Sequence, residues 1–280
     1  MSQLTLEYIV KRVEDIESLP YTITKIISLA DNPNSNIHDM ENLILKDQAL
    51  TTKILRLANS THYGYARRIS TISEATILLG FQAIKGIALA STVKPFLKEE
   101  LKGYSLEKDF LWTQSQTCAI ISRFIARKIK YTNPEEAYIA GLLRDIGKTI
   151  LNEQMLKEYN KILEKVVKEN ISFLDAESEI LGFDHAEVGE KVATKWGFPQ
   201  SLVEAIGYHH TPDLSSLNPI LVSIVHIADA ITMMMGIGLG LDGLQYNISE
   251  TALKNLDLSE MDIQDIISDV TDLILDEDSF

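Results

Sequence analysis

The chain has 280 residues, of which 45% are hydrophobic, and its formal net charge at pH 7 is −14. This length and composition are sufficient for one or two globular domains with a sizeable core. The excess of carboxylates repels a phosphate backbone, which argues against nucleic-acid binding as the main activity. A single cysteine, Cys118, excludes an internal disulfide framework, and its apolar neighbourhood favours a buried thiol in a reducing cytoplasm.

The N-terminal residues contain no basic leader followed by an apolar run, so we expect no secretory signal. One segment, residues 220–241, has the length and apolarity of a membrane span. It contains His226 and Asp229, however, and ionisable groups are costly inside a bilayer. We therefore predict a buried core helix here, no membrane insertion and a cytoplasmic protein.

Helical periodicity dominates the chain. Residues 50–57 and 72–89 place apolar side chains at three- and four-residue spacing, and no long run shows the two-residue alternation of a half-buried strand. These patterns predict an all-α fold. Asn133-Pro134 and Asn218-Pro219 each combine a capping side chain with a proline suited to the first helical position.

Those helix starts locate the polar residues of interest. They predict that Asp145 lies in the middle of one helix and that Asp229 lies about three turns into another. A third helix is predicted to begin near Asp184 and to end at Gly197, which can adopt a left-handed cap conformation. His185 should then occupy the first turn of that helix.

A change of composition over residues 94–104 suggests a boundary between two helical lobes, residues 1–100 and residues 105–280. The C-terminal residues from Asp257 onward are strongly acidic but keep an apolar stripe at helical spacing. We predict an amphipathic helix docked on the core. The stripe consists of Met261, Ile263, Ile266, Ile267, Val270, Leu273 and Ile274.

The octet GLLRDIGK, residues 141–148, is similar to the GLLHDIGK signature of metal-dependent HD phosphohydrolases, with Arg144 in place of the histidine. Further residues follow in the order that such a metal pocket uses. They are His185 and Gly189 as an HxxxG pair, the adjacent His209 and His210, and Asp229.

Residues 45–60 resemble the DPxLTxKLLRLANS core of HDOD domains, and residues 72–80 resemble the AIxxLG segment of the same family. Leu19-Pro20 matches the entry helix, so the resemblance covers roughly residues 12–235. It implies an HD-like helical bundle preceded by an N-terminal helical lobe. It also implies a bacterial signal-transduction output or scaffold module whose partners are other signalling proteins.

The resemblance to HD hydrolases implies two ligand sets. In the first, Gln114 and Arg144 stand where two imidazoles would bind metal, and only Asp145 and Asp229 remain. A guanidinium stays protonated and cannot ligate a cation. Two alternatives stay open for Arg144: it neutralises Asp229, or it points to solvent. The second set, implied by the binuclear HD-GYP relatives, is complete: Asp145, His185, His209 and His210.

We therefore predict a non-enzymatic module with no catalytic residue and no required cofactor. One alternative is a residual phosphohydrolase with a single divalent ion, iron, manganese or zinc, held by Asp145, His185, His209 and His210. Another is a sensor that binds a cyclic dinucleotide without turnover. The GYP element does not follow the His-His pair, and the glycines of residues 236–240 follow a predicted helix, which disfavours a phosphate-binding loop.

Overall fold

A computed structural model describes residues 6–59, 68–238 and 248–275. The regular elements of these residues are helical, with one isolated bridge between Leu101 and Leu106, which confirms the all-α prediction. The helices are α1 (Leu6–Asp15), α2 (Tyr21–Ala30), α3 (Ile37–Ile44), α4 (Gln48–Ala58), α5 (Ile72–Leu79), α6 (Phe81–Leu97), α7 (Phe110–Lys128), α8 (Pro134–Leu143), α9 (Ile146–Glu169), α10 (Phe173–Leu181), α11 (His185–Lys195), α12 (Gln200–Gly207), α13 (Pro219–Met234), α14 (Glu250–Leu256) and α15 (Glu260–Leu275). Single 3-10 turns lie at Lys102–Tyr104 and Pro212–Leu214.

The chain forms two compact units. The N-terminal unit comprises residues 18–95 together with the chain from 269 onward, and the pocket unit comprises the residues before 18 and residues 96–268. The division near residue 95 lies beside the predicted boundary region, but α1 groups with the pocket unit. The ammonium of Lys195 explains this, because it donates to the carbonyls of Val13 and Ile16 at 2.8 and 2.6 Å.

The N-terminal unit is held by apolar faces of α2 to α6 and by one asparagine. The side chain of Asn59 donates to the carbonyls of Leu55 and Ile69, at 2.6 and 2.8 Å, and accepts from the Ile69 amide at 2.7 Å. The asparagine of the LANS segment therefore closes the end of α4, whereas Ser60 lies outside the described residues. Buried apolar residues of this unit include Ile23, Ile26, Met40, Ile44, Ile54 and Ile84.

The single helical periodicity of residues 72–89 corresponds to two helices. Gly80 separates α5 from α6 with φ at 83°, in the left-handed region that favours glycine. The side-chain pattern continues across this break, so periodicity alone does not detect it. Together these two helices have the length and composition of a membrane span, but they are bent by 114°. In the described residues, no single helix is long and apolar enough to cross a membrane.

In the pocket unit, α7 packs against α8 and α13. Helix α13 is buried from Leu221 to Met233, as expected for a core helix, but it ends at Met234, earlier than the predicted Leu241, which lies outside the described residues. The side chain of Asn133 accepts from the Glu136 amide and that of Asn218 from the Leu221 amide. Both predicted helix starts are therefore confirmed.

The predicted acidic C-terminal helix is present as α15. Ile263, Ile266 and Val270 are buried, but Met261 is 72% exposed and does not belong to the buried face. Met261 is the second residue of α15, where the helix is only beginning, so its spacing alone did not determine its burial. The side chain of Leu273 lies outside the described set.

Candidate functional site

Asp145 lies at a break between two helices. Helix α8 ends at Leu143 and α9 begins at Ile146, with Arg144 and Asp145 between them. The prediction that Asp145 lies in mid-helix was therefore wrong. Its φ of −98° and ψ of 11° depart from helical geometry, and the break lets the side chains of residues 144 and 145 enter the interior from the turn.

A close crossing of α9 and α11 places His185 beside this break. A Cβ atom on Gly147 would lie 2.0 Å from the His185 carbonyl oxygen and 2.7 Å from the Gly189 amide nitrogen. Only glycine permits that approach, because both obstacles are backbone atoms. His185 is the first residue of α11, as predicted, and the Asp184 side chain caps the helix by accepting from the Glu187 amide.

The second ligand set converges in space. Asp145, His185, His209 and His210 each offer a ligand atom, and these atoms lie within 4.8 Å of one another. Asp145 Oδ1 is 3.3 Å from His185 Nε2 and 3.7 Å from His209 Nε2. His185 Nε2 and His210 Nε2 are 2.9 Å apart. These four residues form a group that could hold a metal ion.

Two contacts fix the His209 side of the group. Nδ1 of His209 lies 2.7 Å from the Ile206 carbonyl, to which it donates, so Nε2 faces Asp145. His226 donates from Nδ1 to the His209 carbonyl at 2.8 Å and accepts at Nε2 from the Ser249 amide at 2.9 Å. His226 is therefore a structural histidine.

Arg144 is fully buried and joins the two carboxylates of the first ligand set. Its Nε donates to Asp229 Oδ1 at 2.5 Å, and its Nη2 lies 3.1 Å from Asp145 Oδ2. A further donation from Nη1 to the Gly141 carbonyl, at 3.0 Å, caps α8. The structure confirms the predicted Arg144–Asp229 pair and excludes the alternative in which Arg144 points to solvent.

Gln114, the fourth residue considered for the first site, is buried on α7, and its amide donates to Met233 Sδ at 3.6 Å. Cys118 lies one turn further along α7, where the charges of Arg144 and Asp229 act on the pKa of its thiol. Burial raises the pKa of the Cys118 thiol to about 12, so it stays protonated. The predicted burial of the thiol is thus confirmed.

Two charged residues of the site were not predicted from the sequence. Lys148 is fully buried, and its ammonium lies 2.9 Å from Asp145 Oδ1. Glu177, on α10, is fully buried beside His185, whose Nδ1 lies 2.7 Å from Glu177 Oε2. The lysine closes the GLLRDIGK octet, which could have marked it. Glu177 lies in an ordinary amphipathic helix, and only the fold brings it to His185.

The charges in the pocket reinforce one another. Burial would raise the pKa of Asp145, but the Arg144 guanidinium and the Lys148 ammonium outweigh burial and hold this pKa well below its usual range. Burial would lower the pKa of His185, but the Glu177 carboxylate and the contact with Asp145 raise it to about 10. Burial and the neighbouring His209 and His185 lower the pKa of His210 well below its usual value.

The resulting charge balance bears on any bound metal. Three buried carboxylates face three buried cations, with His185 as an imidazolium. The carboxylates belong to Asp145, Glu177 and Asp229, and the cations to Arg144, Lys148 and His185. Because the three negative and three positive charges balance, the pocket needs no further ion to compensate its charge.

The ligand atoms of Asp145, His185, His209 and His210 nevertheless fit one divalent ion. These atoms lie within 4.8 Å of one another, although both carboxylate oxygens of Asp145 also lie in ion pairs with Arg144 and Lys148. Imidazole nitrogen and carboxylate oxygen suit iron, manganese or zinc. The first ligand set does not fit a metal ion. The guanidinium of Arg144 lies between Asp145 and Asp229, and a guanidinium cannot ligate a cation.

Residues 16–212 of the chain match the HDOD domain family. The chain belongs to this family. A solved HDOD domain protein from Geobacter sulfurreducens is 26% identical, with a TM-score of 0.75 over 97% of this chain and 96% of the other. The expected HD-like helical fold is thereby confirmed.

Two further structures share the fold at lower identity. A protein of Marinobacter aquaeolei VT8, provisionally named for signal transduction, is 21% identical with a TM-score of 0.75, over 97% of this chain and 63% of the other. A protein of Shewanella amazonensis SB2B, provisionally named a phosphohydrolase, is 24% identical with a TM-score of 0.67, over 92% and 96% of the two chains.

A curated relative from Treponema pallidum (strain Nichols), an uncharacterised protein, is 27% identical over 206 residues, which are 72% of this chain and 39% of the relative. The chain thus spans less than two fifths of the length of that relative.

Proposed function

We propose that this HDOD protein is a non-enzymatic scaffold of bacterial signal transduction that acts by binding other signalling proteins. The observation that supports this proposal is the position of Arg144. Its buried guanidinium bridges Asp145 and Asp229, the two carboxylates that an HD hydrolase uses for its first metal. A fixed positive charge replaces the missing ion and keeps both carboxylates paired.

A phosphodiester hydrolase of this class needs a metal to generate hydroxide near neutral pH and to stabilise negative charge on the phosphoryl oxygens. Arg144 is unable to lower the pKa of a bound water by coordination. A divalent ion placed about 4 Å from the guanidinium would also be repelled by roughly 8 kcal/mol at an effective dielectric constant of about 20. The pocket therefore supports the integrity of the fold better than it supports two-metal chemistry.

A second candidate function is favoured by the convergence of four side chains that can ligate a metal. Asp145, His185, His209 and His210 would hold one iron, manganese or zinc ion, which when bound supplies an activated water. Lys148 would place positive charge beside that water, while Asp145 would divide its charge between the ion and Lys148. The single-ion site competes with the existing ion pairs, so we expect weak affinity.

The turnover experiment separates the two candidates. The parent protein and Asp145→Asn are incubated with manganese, iron or zinc and with cyclic dinucleotides or nucleoside phosphates. We expect no hydrolysis by the parent above the rate of the variant. Metal-dependent turnover that disappears in Asp145→Asn would contradict the scaffold and support the single-ion hydrolase. Nucleotide binding without product would instead indicate a sensor.

Partner binding needs its own measurement. A signalling protein captured by the parent is purified and its dissociation constant measured with the parent and with His209→Gln. Under the scaffold proposal the two constants agree, because His209 lies in the buried group rather than at the surface. A partner that binds the parent only when metal is supplied, and does not bind His209→Gln, would argue for the metal-dependent alternative.

A further inference from the structure

The carboxylate of Glu177 accepts two hydrogen bonds from His185, one from its backbone and one from its ring. Glu177 Oε2 accepts from the His185 backbone amide at 3.0 Å and from the ring Nδ1 at 2.7 Å. The other oxygen, Oε1, accepts from the Tyr104 hydroxyl at 2.5 Å. All three residues are at most 1% exposed. The carboxylate is thus satisfied on both sides and has little freedom to rotate.

This arrangement determines which ring nitrogen of His185 faces the metal-binding group. Because Nδ1 donates to Glu177, only Nε2 is directed toward Asp145 and His210, at 3.3 and 2.9 Å. The ring of Tyr104 stands edge-on to the imidazole, with the centroids 6.3 Å apart and an interplanar angle of 87°. The imidazole is therefore fixed by a hydrogen bond on one edge and by an aromatic contact.

We infer that Glu177, supported by Tyr104, is a positioning residue that aims His185 Nε2 at Asp145, His209 and His210 and so sets the affinity of this group for one transition-metal ion. The inference rests on the single-ion candidate above for its ligand, whereas the placement of the imidazole stands independently of it. Carboxylates that accept the outer N–H of a ligating histidine fix the ring and raise its basicity, and their loss costs about 10- to 100-fold in metal affinity.

Glu177→Gln tests the inference, because glutamine keeps the shape of the side chain and removes its charge. Cobalt(II) is the probe, since its binding can be followed by calorimetry and by visible absorption. We expect a dissociation constant about 10- to 100-fold weaker than that of the parent. In metal-free protein, the nuclear magnetic resonance signal of the His185 Nδ1 proton should shift upfield, because the acceptor is no longer charged.

Glu187→Gln is the matched control. Glu187 lies in the first turn of the same helix and belongs to its capping box, so it contributes to the start of α11 without contacting the imidazole. We expect cobalt affinity and the Nδ1 proton signal of this variant to match the parent. Tyr104→Phe provides a second variant if Glu177→Gln fails to fold, and it should weaken cobalt binding less than Glu177→Gln.

An unchanged cobalt dissociation constant in folded Glu177→Gln overturns the inference, whatever happens to the proton signal. The same loss in Glu187→Gln would also overturn it, since a general effect on α11 would then explain the result. If the parent binds no cobalt, the metal part of the inference is overturned. Turnover of a phosphodiester by the parent would contradict the scaffold proposal and leave the role of Glu177 intact.

Discussion

At the scale of the residue, Arg144 determines how the buried charges of the pocket are paired. Its guanidinium is fully buried and contacts Asp229, Asp145 and the Gly141 carbonyl. Burying a charge is costly unless it is paired, and removing one partner leaves the other charge uncompensated. The pocket is therefore expected to depend on this one side chain more than on any single histidine.

Arg144→Ala should lower the free energy of unfolding by at least about 3 kcal/mol, because Asp229 and Asp145 would lose a buried cation. Denaturant unfolding measures the change. Arg144→His should remain folded and lose less stability, since an imidazolium can still pair with Asp229. A loss within about 0.5 kcal/mol in the alanine variant, typical of a surface change, would show that the ion pair contributes little.

Arg127→Ala supplies a control for this measurement. Arg127 also pairs with a carboxylate, Glu135, but its side chain is 55% exposed. Exposed ion pairs contribute about 0–1 kcal/mol, so this variant should unfold close to the parent. Equal losses in the two arginine variants would mean that burial is not the reason for the effect at Arg144.

His185 should make stability depend on pH. Its folded pKa is raised to about 10, from an ordinary value near 6.5, so its contribution is complete below pH 6.5 and is lost as the pH rises towards 10. Between pH 7 and 8.5 we expect the free energy of unfolding to fall by about 1.4 kcal/mol per pH unit for this one proton. Denaturant unfolding at several pH values measures the slope.

His185→Gln removes the titrating group and should remove that part of the slope. The lowered pKa values of His210 and His226 act in the opposite direction, but only near and below pH 6.5, where their unfolded forms gain protons. A parent protein whose stability is constant from pH 7 to 8.5 would show that His185 is not an imidazolium in the folded state.

At the scale of the element, the crossing of α9 and α11 brings the halves of the pocket together. Gly147 belongs to the GLLRDIGK octet and Gly189 to the HxxxG pair, and the two glycines face each other at this crossing. The small residues of both motifs thus have a physical explanation in helix packing. Their neighbours Asp145 and His185 reach contact distance because the backbones approach so closely.

Gly147→Ala should lower the free energy of unfolding by about 1–3 kcal/mol or more, because the new Cβ would collide with the His185 carbonyl oxygen. Thermal and denaturant unfolding measure the effect. The displaced α11 should also weaken cobalt binding, if the parent binds cobalt. Wild-type stability in this variant would be incompatible with the close crossing of the two helices.

Gly207→Ala is the corresponding control, since Gly207 is the last residue of α12, another helix of the pocket unit. The nearest atoms to a Cβ there would be Cβ and Cγ of Glu190, at 3.2 Å, a tight contact with a side chain and not with backbone. Alanine is a better helix former than glycine by about 1 kcal/mol. We therefore expect this variant to lose much less stability than Gly147→Ala.

At the scale of the whole molecule, the charge of −14 leads us to predict that nucleic acid is not a partner. Phosphate backbones bind proteins that neutralise them with Lys and Arg, and this chain has 40 acidic residues against 26 Lys and Arg residues. Fluorescence anisotropy with labelled duplex DNA and single-stranded RNA at 150 mM salt should show no binding. A dissociation constant in the micromolar range or below would contradict this prediction.

Much of the architecture followed from the sequence. Helical periodicity and the caps at Asn133 and Asn218 depend on interactions between near neighbours, so the all-α fold and the starts of α8 and α13 were predictable. The motif order also identified Asp145, His185, His209 and His210 as one set. The need of buried Asp229 for a counter-charge made a pair with Arg144 one of two alternatives, between which the structure decides.

Other features were decided by tertiary structure. The breaks at Gly80 and at Asp145 interrupt helices whose side-chain periodicity continues across them, so the local pattern contains no signal of either. Glu177 and Lys148 lie near their partners His185 and Asp145 in sequence, but only the packed structure shows that they are buried beside them. The docking of α1 by Lys195 joins helices that are distant in sequence. The sequence by itself determined which helices form and which side chains are available for chemistry. Only packing decided which of those charges meet, because burial and pairing depend on elements that are not neighbours along the chain.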